Sequence, residues 1–149
     1  MKKYALFSGM LIPVWLFCGV LIAGSLYPGY SHVDQAMSEL GALEAPTHQL
    51  SPIISNFPLG VLFLLFGGAV VGLFSGARLV QFSGLLLMLH GLPSISAGLF
   101  SCDPGCNPVE PSRDQVLHNL SGLVMFASLT LVNLLWVYLS RKRLGSAGF

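Results

Sequence analysis

The sequence predicts an all-α fold: a polytopic membrane protein whose four transmembrane helices form an antiparallel bundle, with a short interfacial helix in the first outer loop. Two observations predict this class. Of the 149 residues, 54% are hydrophobic and only 9% are charged, whereas about a quarter of the residues in a typical soluble domain are charged. Four stretches also lack Asp, Glu, Lys and Arg over the length of about 20 helical residues that is needed to cross a bilayer core.

The four spans form a single domain over residues 1–149, and we place them near residues 4–27, 52–75, 79–100 and 117–140. The first follows two lysines, as a signal peptide does, but its apolar part is longer than the about 7–15 residues of a signal core. We therefore expect it to be retained as a transmembrane helix. The second and third spans are joined only by Ser75 to Arg78, which predicts a tight hairpin.

Charged residues divide between the two sides of this arrangement. Six of the seven basic residues fall on the side of the chain termini: Lys2, Lys3, Arg78, Arg141, Lys142 and Arg143. The opposite side carries Arg113 and all six acids: Asp34, Glu39, Glu44, Asp103, Glu110 and Asp114. Because basic residues mark cytoplasmic segments, we expect a multi-pass protein of the cell inner (plasma) membrane with cytoplasmic N- and C-termini. The net charge of +1 gives no reason to expect nucleic acid.

The first outer loop contains a helix start signal. Ser31 and Asp34 have the spacing of a capping box, which predicts a short interfacial helix over residues 32–40 that ends at Gly41. Its polar residues are candidates for a site in the loop: His32, Asp34, Ser38 and Glu39. A hydrolytic triad of Ser31 or Ser38 with His32 and Asp34 is disfavoured, because residues so close in one short helix would not align a nucleophile with its base.

Polar residues inside the spans predict a pocket. His90 and Ser94 share one face of the third span, and antiparallel packing would gather a polar set in the outer half of the bundle, open toward the acidic loops. The pocket candidates are Asn56, His90, Ser94, His118, Asn119 and Asp103. One hypothesis is that they hydrogen-bond across helices and to the Leu89 carbonyl that Pro93 leaves free. The other is a polar cavity for a lipid headgroup or a small polar molecule.

A metal site is a weaker interpretation. A zinc hydrolase needs three protein ligands and an open position for water. The candidates are His32, Asp34, His48, His90, Asp103 and His118, but no pair of histidines has ligand spacing. We therefore assign no metal ligand and no cofactor from the sequence.

Two cysteines four residues apart flank a Pro-Gly turn between the third and fourth spans. The turn would bring Cys102 and Cys106 within the about 4.4–6.8 Å Cα separation that a disulfide requires, and the bacterial exterior is oxidising. We predict a disulfide. Half of a zinc site and a redox pair are the alternatives, although a redox pair usually has one residue fewer between its cysteines. Cys18, in the first span, is expected to be a small packing residue.

A glycine repeat suggests a place where helices meet. Gly68, Gly72 and Gly76 recur every four residues, a pattern that lets another helix approach closely. We expect membrane lipids as partners, and a homo-oligomer or a membrane partner through these glycines.

Several short motifs resemble those of one family. They are Leu26 to Ser31 leading into Ser38 to Ala42, then Phe100 to Cys106, and the pair His118-Asn119. They resemble the bacterial and archaeal integral membrane proteins called domain of unknown function 998, over about residues 5 to 140. The resemblance implies a helical membrane protein and no established activity, so no catalytic residue is transferred. Its members tend to have more spans than four, which leaves open a shortened version or pairing with another copy.

Three functions follow from these observations. The first is an integral membrane protein of unknown activity, without catalysis, that binds a lipid or small amphiphile in an outward-facing polar pocket. The second is a metal-dependent membrane hydrolase that acts on lipid headgroups. The third is a structural subunit of a membrane complex. Transport is disfavoured, because the sequence shows no inverted repeat and no acidic residue within a span.

Overall fold

A computed structural model describes residues 2–146 of the chain, with side chains described for residues 4–142. Within that part the protein is helical, without strands. Its α-helices are α1 (Lys2–Ala5), α2 (Phe7–Ser25), α3 (Phe57–Leu73), α4 (Arg78–Leu99) and α5 (Arg113–Ser146). Shorter segments are two 3-10 helices, Met37–Gly41 and Pro104–Cys106, and a π-helical turn, Pro52–Asn56, which leads directly into α3.

Four helical segments are long and apolar enough to cross a membrane, as the sequence predicted: Phe7–Ser25, Pro52–Leu73, Arg78–Leu99 and Arg113–Lys142. The last begins four residues earlier than the predicted 117. Its start is fixed by Ser112, whose hydroxyl accepts a hydrogen bond from the backbone N–H of Gln115 at 3.1 Å, the usual N-cap contact. These helices are those of a multi-pass membrane protein.

Helices α3 and α4 meet at glycines, so that their backbones touch. A Cβ added to Gly67 would lie 2.5 Å from the carbonyl oxygen of Gly84, and one added to Gly84 would lie 2.7 Å from that of Gly67. Gly60 and Gly91 repeat the contact farther along, at 2.8 and 2.7 Å. Only glycine permits such an approach without displacing a backbone. Because residue numbers rise along α3 as they fall along α4, the two helices run in opposite directions.

These are not the glycines of the predicted repeat. A Cβ on Gly68 would have no neighbour within 4 Å, and Gly76 lies in the turn after α3 with a φ of +94°. Gly72, on the same helix, is half-buried. The contact inside the chain therefore uses Gly67 rather than the predicted stripe, and an intermolecular role for that stripe stays a prediction.

A hydrogen bond joins helix α2 to the turn just before α3, at a carbonyl that a proline leaves free. Pro58 has no N–H to donate, which leaves the carbonyl of Ile54 without its helical partner. The indole N–H of Trp15 donates to that carbonyl at 2.7 Å. Gly19, one turn farther on, lets the two segments approach, since a Cβ there would lie 2.6 Å from the hydroxyl oxygen of Ser55.

The buried hydrophobic core lies between α3, α4 and α5. It consists of Phe63, Val70, Leu86, Leu87 and Val132. Of the spans, the two containing α3 and α4 are 39% and 44% buried inside the chain, against 22% for α2 and 17% for α5. The flanking helices thus leave wide apolar faces uncovered, as surfaces that contact lipid do.

The predicted interfacial helix over 32–40 is two short capped turns instead. The Ser31 hydroxyl accepts from the N–H of Asp34 at 3.2 Å, which caps the first turn. The backbone at Ala36 is then extended, and its N–H donates to the Glu39 carboxylate at 2.9 Å. Because that contact satisfies the N–H outside a helix, the chain stops after one turn and restarts as the 3-10 helix Met37–Gly41.

The helices end in two regions of different charge. The acidic end comprises the two loops 26–51 and 100–112, which touch where the N–H of Leu43 donates to the Cys102 carbonyl at 2.9 Å. The basic end comprises the turn 74–77 with the neighbouring ends of α4 and α5.

Candidate functional site

A cavity of about 250 Å³ lies beneath the loops of the acidic end. Its walls come from α2, the 3-10 helix Met37–Gly41, the π-helical turn, α4 and α5. Apolar side chains of Leu16, Val20, Leu59 and Met125 form part of the lining. The polar lining residues are Ser38, Ser51, Ser55, Asn56, Ser94, Ser101 and His118. The cavity is therefore apolar in part, with polar groups contributed by several different elements.

Asn56 and Ser94 bring two elements together at this cavity. The Ser94 hydroxyl donates to the backbone carbonyl of Asn56 at 2.9 Å, and Ser94 is 2% exposed. The side-chain amide of Asn56 makes no hydrogen bond to another described residue. Since an amide has two donor hydrogens and an acceptor oxygen, Asn56 offers both kinds of group to a ligand.

His118 presents a ring nitrogen to the same cavity. Its Nδ1 lies 2.9 Å from the Phe100 carbonyl oxygen and 3.2 Å from that of Ala97. Carbonyl oxygens only accept hydrogen bonds, so Nδ1 carries a proton and is the donor. The two carbonyls belong to the last turn of α4, where carbonyls lack helical partners. His118 thus caps α4 through Nδ1, and its Nε2 bonds no other described residue.

His90 does not line the cavity. Its Nδ1 donates to the Met125 carbonyl at 2.9 Å, and its ring packs against Phe63 with centroids 4.1 Å apart. The acceptor is a carbonyl on α5, not the one at Leu89 that Pro93 leaves free. His90 is 8% exposed and joins α4 to α5. This contact is the cross-helix bonding that one of the two hypotheses expected.

Gln115 organises the loop between α4 and α5, a role that the sequence analysis missed. It is 1% exposed, and its side-chain oxygen accepts from the Asp103 N–H at 2.8 Å. Its amide nitrogen donates to Asn119 Oδ1 at 2.8 Å and to the Cys106 carbonyl at 3.4 Å. Asn119 therefore belongs to this network and not to the cavity lining. Ser112 and Gln115 have the spacing of a capping box, a signal that was present in the sequence.

Asp103 completes the start of α5. Its carboxylate accepts from the Ser112 N–H at 2.9 Å, the group that the Gln115 side chain would bond in an ordinary capping box. The hydroxyl and the N–H of Ser112 hold the pKa of Asp103 below its ordinary value, against a smaller opposing effect of burial. Asp103 does not line the cavity; it fixes the loop above it.

The predicted disulfide between Cys102 and Cys106 is confirmed, with Cα atoms 5.0 Å apart. The turn between them has a positive φ of 70° at Gly105 and a hydrogen bond from the Cys106 N–H to the Asp103 carbonyl at 2.8 Å. Cys102 is fully buried, with Sγ 3.6 Å from the carbonyl oxygen of Ser38. The disulfide thus lies against the loop that covers the cavity.

The third cysteine does not have the role expected of it. Cys18 is a free thiol exposed on α2 and not a packing residue.

The remaining loop candidates are engaged in local contacts. His32 stands edge-on to the Tyr30 ring at 5.0 Å between centroids, and Asp34 accepts from the Ser31 hydroxyl at 2.6 Å. Glu39 accepts from the side-chain amide of Gln35 at 2.8 Å. Burial, and secondarily the charge of Glu39, raises the pKa of Tyr30.

Possible metal ligands do not converge in the described part of the chain. Among residues with described side chains, no three His, Cys, Asp or Glu residues are placed to hold a metal ion. His48 instead donates from Nδ1 to the Gly41 carbonyl at 3.1 Å.

Of the six pocket candidates, the structure brings Asn56, Ser94 and His118 to one cavity and places the other three outside it. The loop candidate Ser38 lies on the same cavity.

Comparison with known proteins identifies the family. The family model described as protein of unknown function DUF998 matches residues 10–149. Comparisons with curated proteins and with solved structures gave no match. Since the matched region covers nearly the whole sequence, the chain belongs to the DUF998 family.

Proposed function

We propose that this protein is a four-helix antiparallel bundle in the plasma membrane that binds the polar end of a small amphiphile in the cavity at its acidic end. The observation that carries the proposal is the cavity itself, because Asn56 and His118 reach it from different helices with unsatisfied hydrogen-bonding capacity. Paired with apolar walls, such groups are the usual composition of a small-molecule site.

The size of the cavity narrows the occupant. Its volume of about 250 Å³ lies just below the about 300–1,000 Å³ of pockets that hold drug-sized ligands. A whole phospholipid is too large for it. A polar headgroup without a net negative charge fits better, since the lining offers hydrogen-bonding groups from Asn56, Ser94 and His118 but contains no Lys or Arg.

The distribution of charge supports an outward-facing cavity. All six acids lie in or directly beside the loops of the acidic end, and the basic residues at the other end mark the cytoplasmic side. The disulfide at the acidic end agrees with an oxidising exterior. In this orientation the amphiphile enters from the outer leaflet or from outside the cell, and both termini are cytoplasmic.

A cavity-filling variant tests the proposal. Gly122 lines the cavity, and a Cβ added there would meet no atom within 4 Å, so Gly122→Leu adds a bulky side chain at the cavity wall without displacing backbone. Gly68→Leu is the matched control, since Gly68 is equally free of neighbours and lies elsewhere. We expect native mass spectrometry from mild detergent to detect a bound small amphiphile on the wild type and on Gly68→Leu, but not on Gly122→Leu. Absence of any ligand from the wild type, or equal retention by both variants, would refute the proposal.

A second variant tests the polar contact alone. Asn56→Leu removes an amide that bonds no other described side chain or backbone group, so the fold loses no known partner. Asn133→Leu is the control, because Asn133 is also an intramembrane amide but bonds the Leu129 carbonyl of its own helix at 2.9 Å. We expect Asn56→Leu to release the amphiphile at least about tenfold more readily, the loss of one hydrogen bond of about 1.4 kcal/mol, while Asn133→Leu retains it.

A further inference from the structure

A second, larger cavity opens at the basic end, away from the one described above. It has a volume of about 1,080 Å³ and lies between the start of α4 and the last turns of α5. Arg78 and Lys142 line it together with Leu79, Val80, Trp136 and Leu139. We call it the basic cleft.

The chain segments that carry the two cations of the basic cleft contain no acidic residue. The sequence contains no Asp or Glu between residues 45 and 102, nor from 115 to the end. Arg78 and Lys142 therefore sit on segments without a carboxylate. Two cations that line the same cleft attract an anion from outside the chain.

The lining residues are arranged like the parts of a phospholipid, with charged groups at one end and apolar groups deeper in the membrane. Arg78 is the first residue of α4, and Lys142 lies beyond the apolar part of α5. Leu79 and Val80 follow Arg78 into α4, and Trp136 and Leu139 precede Lys142 on α5, so the apolar lining lies deeper than the charges. Trp is enriched at the headgroup level of membranes, with basic residues directly above it.

We propose that the basic cleft binds an anionic phospholipid. Its phosphate lies between Arg78 and Lys142, and its acyl chains run along Leu79 and Trp136 on the uncovered sides of α4 and α5. This site is separate from the amphiphile cavity and takes a lipid of the opposite leaflet. The cations select the lipid by charge, because a zwitterionic headgroup offers them no net attraction.

Lipid competition tests this site. The protein is placed in nanodiscs of equal parts phosphatidylglycerol and phosphatidylcholine, and native mass spectrometry measures the ratio of the two lipids it retains. Each basic residue near an anionic surface contributes roughly fivefold to binding. We therefore expect Arg78→Gln/Lys142→Gln to lower the phosphatidylglycerol enrichment by about 25-fold, and each single variant by about fivefold.

The control removes the same charge elsewhere. Arg113→Gln/Arg141→Gln also loses two cations; Arg141 neighbours Lys142 but does not line the cleft, and Arg113 lies at the other end of α5. This control should lower the enrichment by no more than the about fivefold of one surface cation, and the charge-conserving Arg78→Lys/Lys142→Arg should keep the wild-type enrichment. An equal loss in the control would show that bulk charge, not the cleft, selects the lipid, and would overturn the proposal.

Two further measurements separate the alternatives. Inorganic phosphate at millimolar concentration should leave the enrichment unchanged; displacement of the lipid by phosphate would assign the cleft to a free anion and overturn the lipid assignment. Gly122→Leu should keep the phosphatidylglycerol enrichment while losing the amphiphile. The double glutamine variant should keep the amphiphile, so failure of either proposal is visible independently of the other.

Discussion

The two ends of the molecule hold the same helices together by different physical means. At the acidic end, loops are fixed by side-chain hydrogen bonds around the buried Gln115 and by a disulfide, and they enclose a small cavity. Toward the basic end, α3 and α4 meet through Gly67 and Gly84 with backbones in contact, as they also do at Gly60 and Gly91 nearer the acidic end. Beyond Gly67 and Gly84, a cleft about four times larger than the cavity is open. Side-chain hydrogen bonds fix the irregular backbone of the loops, whereas close backbone packing holds helices together in an apolar surrounding. The two ends should therefore respond differently to substitutions.

The packing near the basic end is the more sensitive of the two. Gly67→Ala places a Cβ 2.5 Å from the Gly84 carbonyl oxygen and 2.9 Å from the Met88 amide nitrogen, and backbone atoms cannot move aside as a flexible side chain does. We expect the free energy of unfolding to fall by about 2–3 kcal/mol, measured by denaturant titration in micelles.

The neighbouring residue provides the control. Gly68→Ala meets no atom within 4 Å and should raise stability by up to about 1 kcal/mol through helix propensity. Equal effects of the two substitutions would mean that the helices do not meet where the structure places them.

The hydrogen-bond network at the acidic end gives the next largest effect. Gln115→Leu fills a similar volume but leaves the buried Asp103 N–H without its acceptor and the Asn119 oxygen without its donor. We expect a loss of about 2 kcal/mol, together with faster amide exchange over residues 102–115. Gln49→Leu serves as the control, because Gln49 is exposed and its replacement should change the stability by less than about 0.5 kcal/mol. A loss of the same size in both variants would argue against a special role for Gln115.

The sequence predicted what depends on local pattern. The four spans follow from length and apolarity, and the disulfide follows from a turn that brings two cysteines together. The early start of α5 was also readable, since Ser112 and Gln115 have capping-box spacing. The prediction of 117 rests on the apolar run, which begins only after that box.

What the sequence did not show depends on contacts between distant residues. Gly67 and Gly68 are neighbours with the same chemistry, and only the rotation of α3 against α4 decides which one meets a backbone. His90 was placed on an inward face, but its acceptor, the Met125 carbonyl, depends on how far α5 is shifted along α4. The interfacial helix over 32–40 was wrong as one unit because Glu39 satisfies the N–H of Ala36 and interrupts it.

Reduction of the disulfide should affect the acidic end and leave the basic end unchanged. Cys102 lies against the loop that covers the cavity and accepts from the N–H of Leu43, so cleavage should loosen that roof. Its loop is short, and we expect the unfolding free energy to fall by at most about 2 kcal/mol. In native mass spectrometry with a membrane-permeant reductant, the amphiphile should dissociate while the phosphatidylglycerol enrichment persists. Loss of both ligands together would mean that the two ends are coupled.

The smallest effect is acid sensitivity, confined to one end. Ser112 lowers the pKa of Asp103 in the folded protein, so the ionised carboxylate contributes stability above its unfolded pKa of about 3.9. That contribution is lost as the pH falls through the lower, folded pKa. Relative to the intrinsic rate at each pH, amide exchange over residues 103–115 should therefore accelerate below about pH 4 in the wild type.

Variants of two acids assign this effect. Asp103→Asn should exchange faster at neutral pH and lose most of the acid dependence, because Asn lacks the charge that strengthens the bond to Ser112. Glu110→Gln removes an exposed acid of the same loop and should retain the wild-type profile. Residues 60–91, which contain no acid, should show no such acceleration over this range. Acceleration there of the same size would make the acid response global and remove the distinction between the two ends.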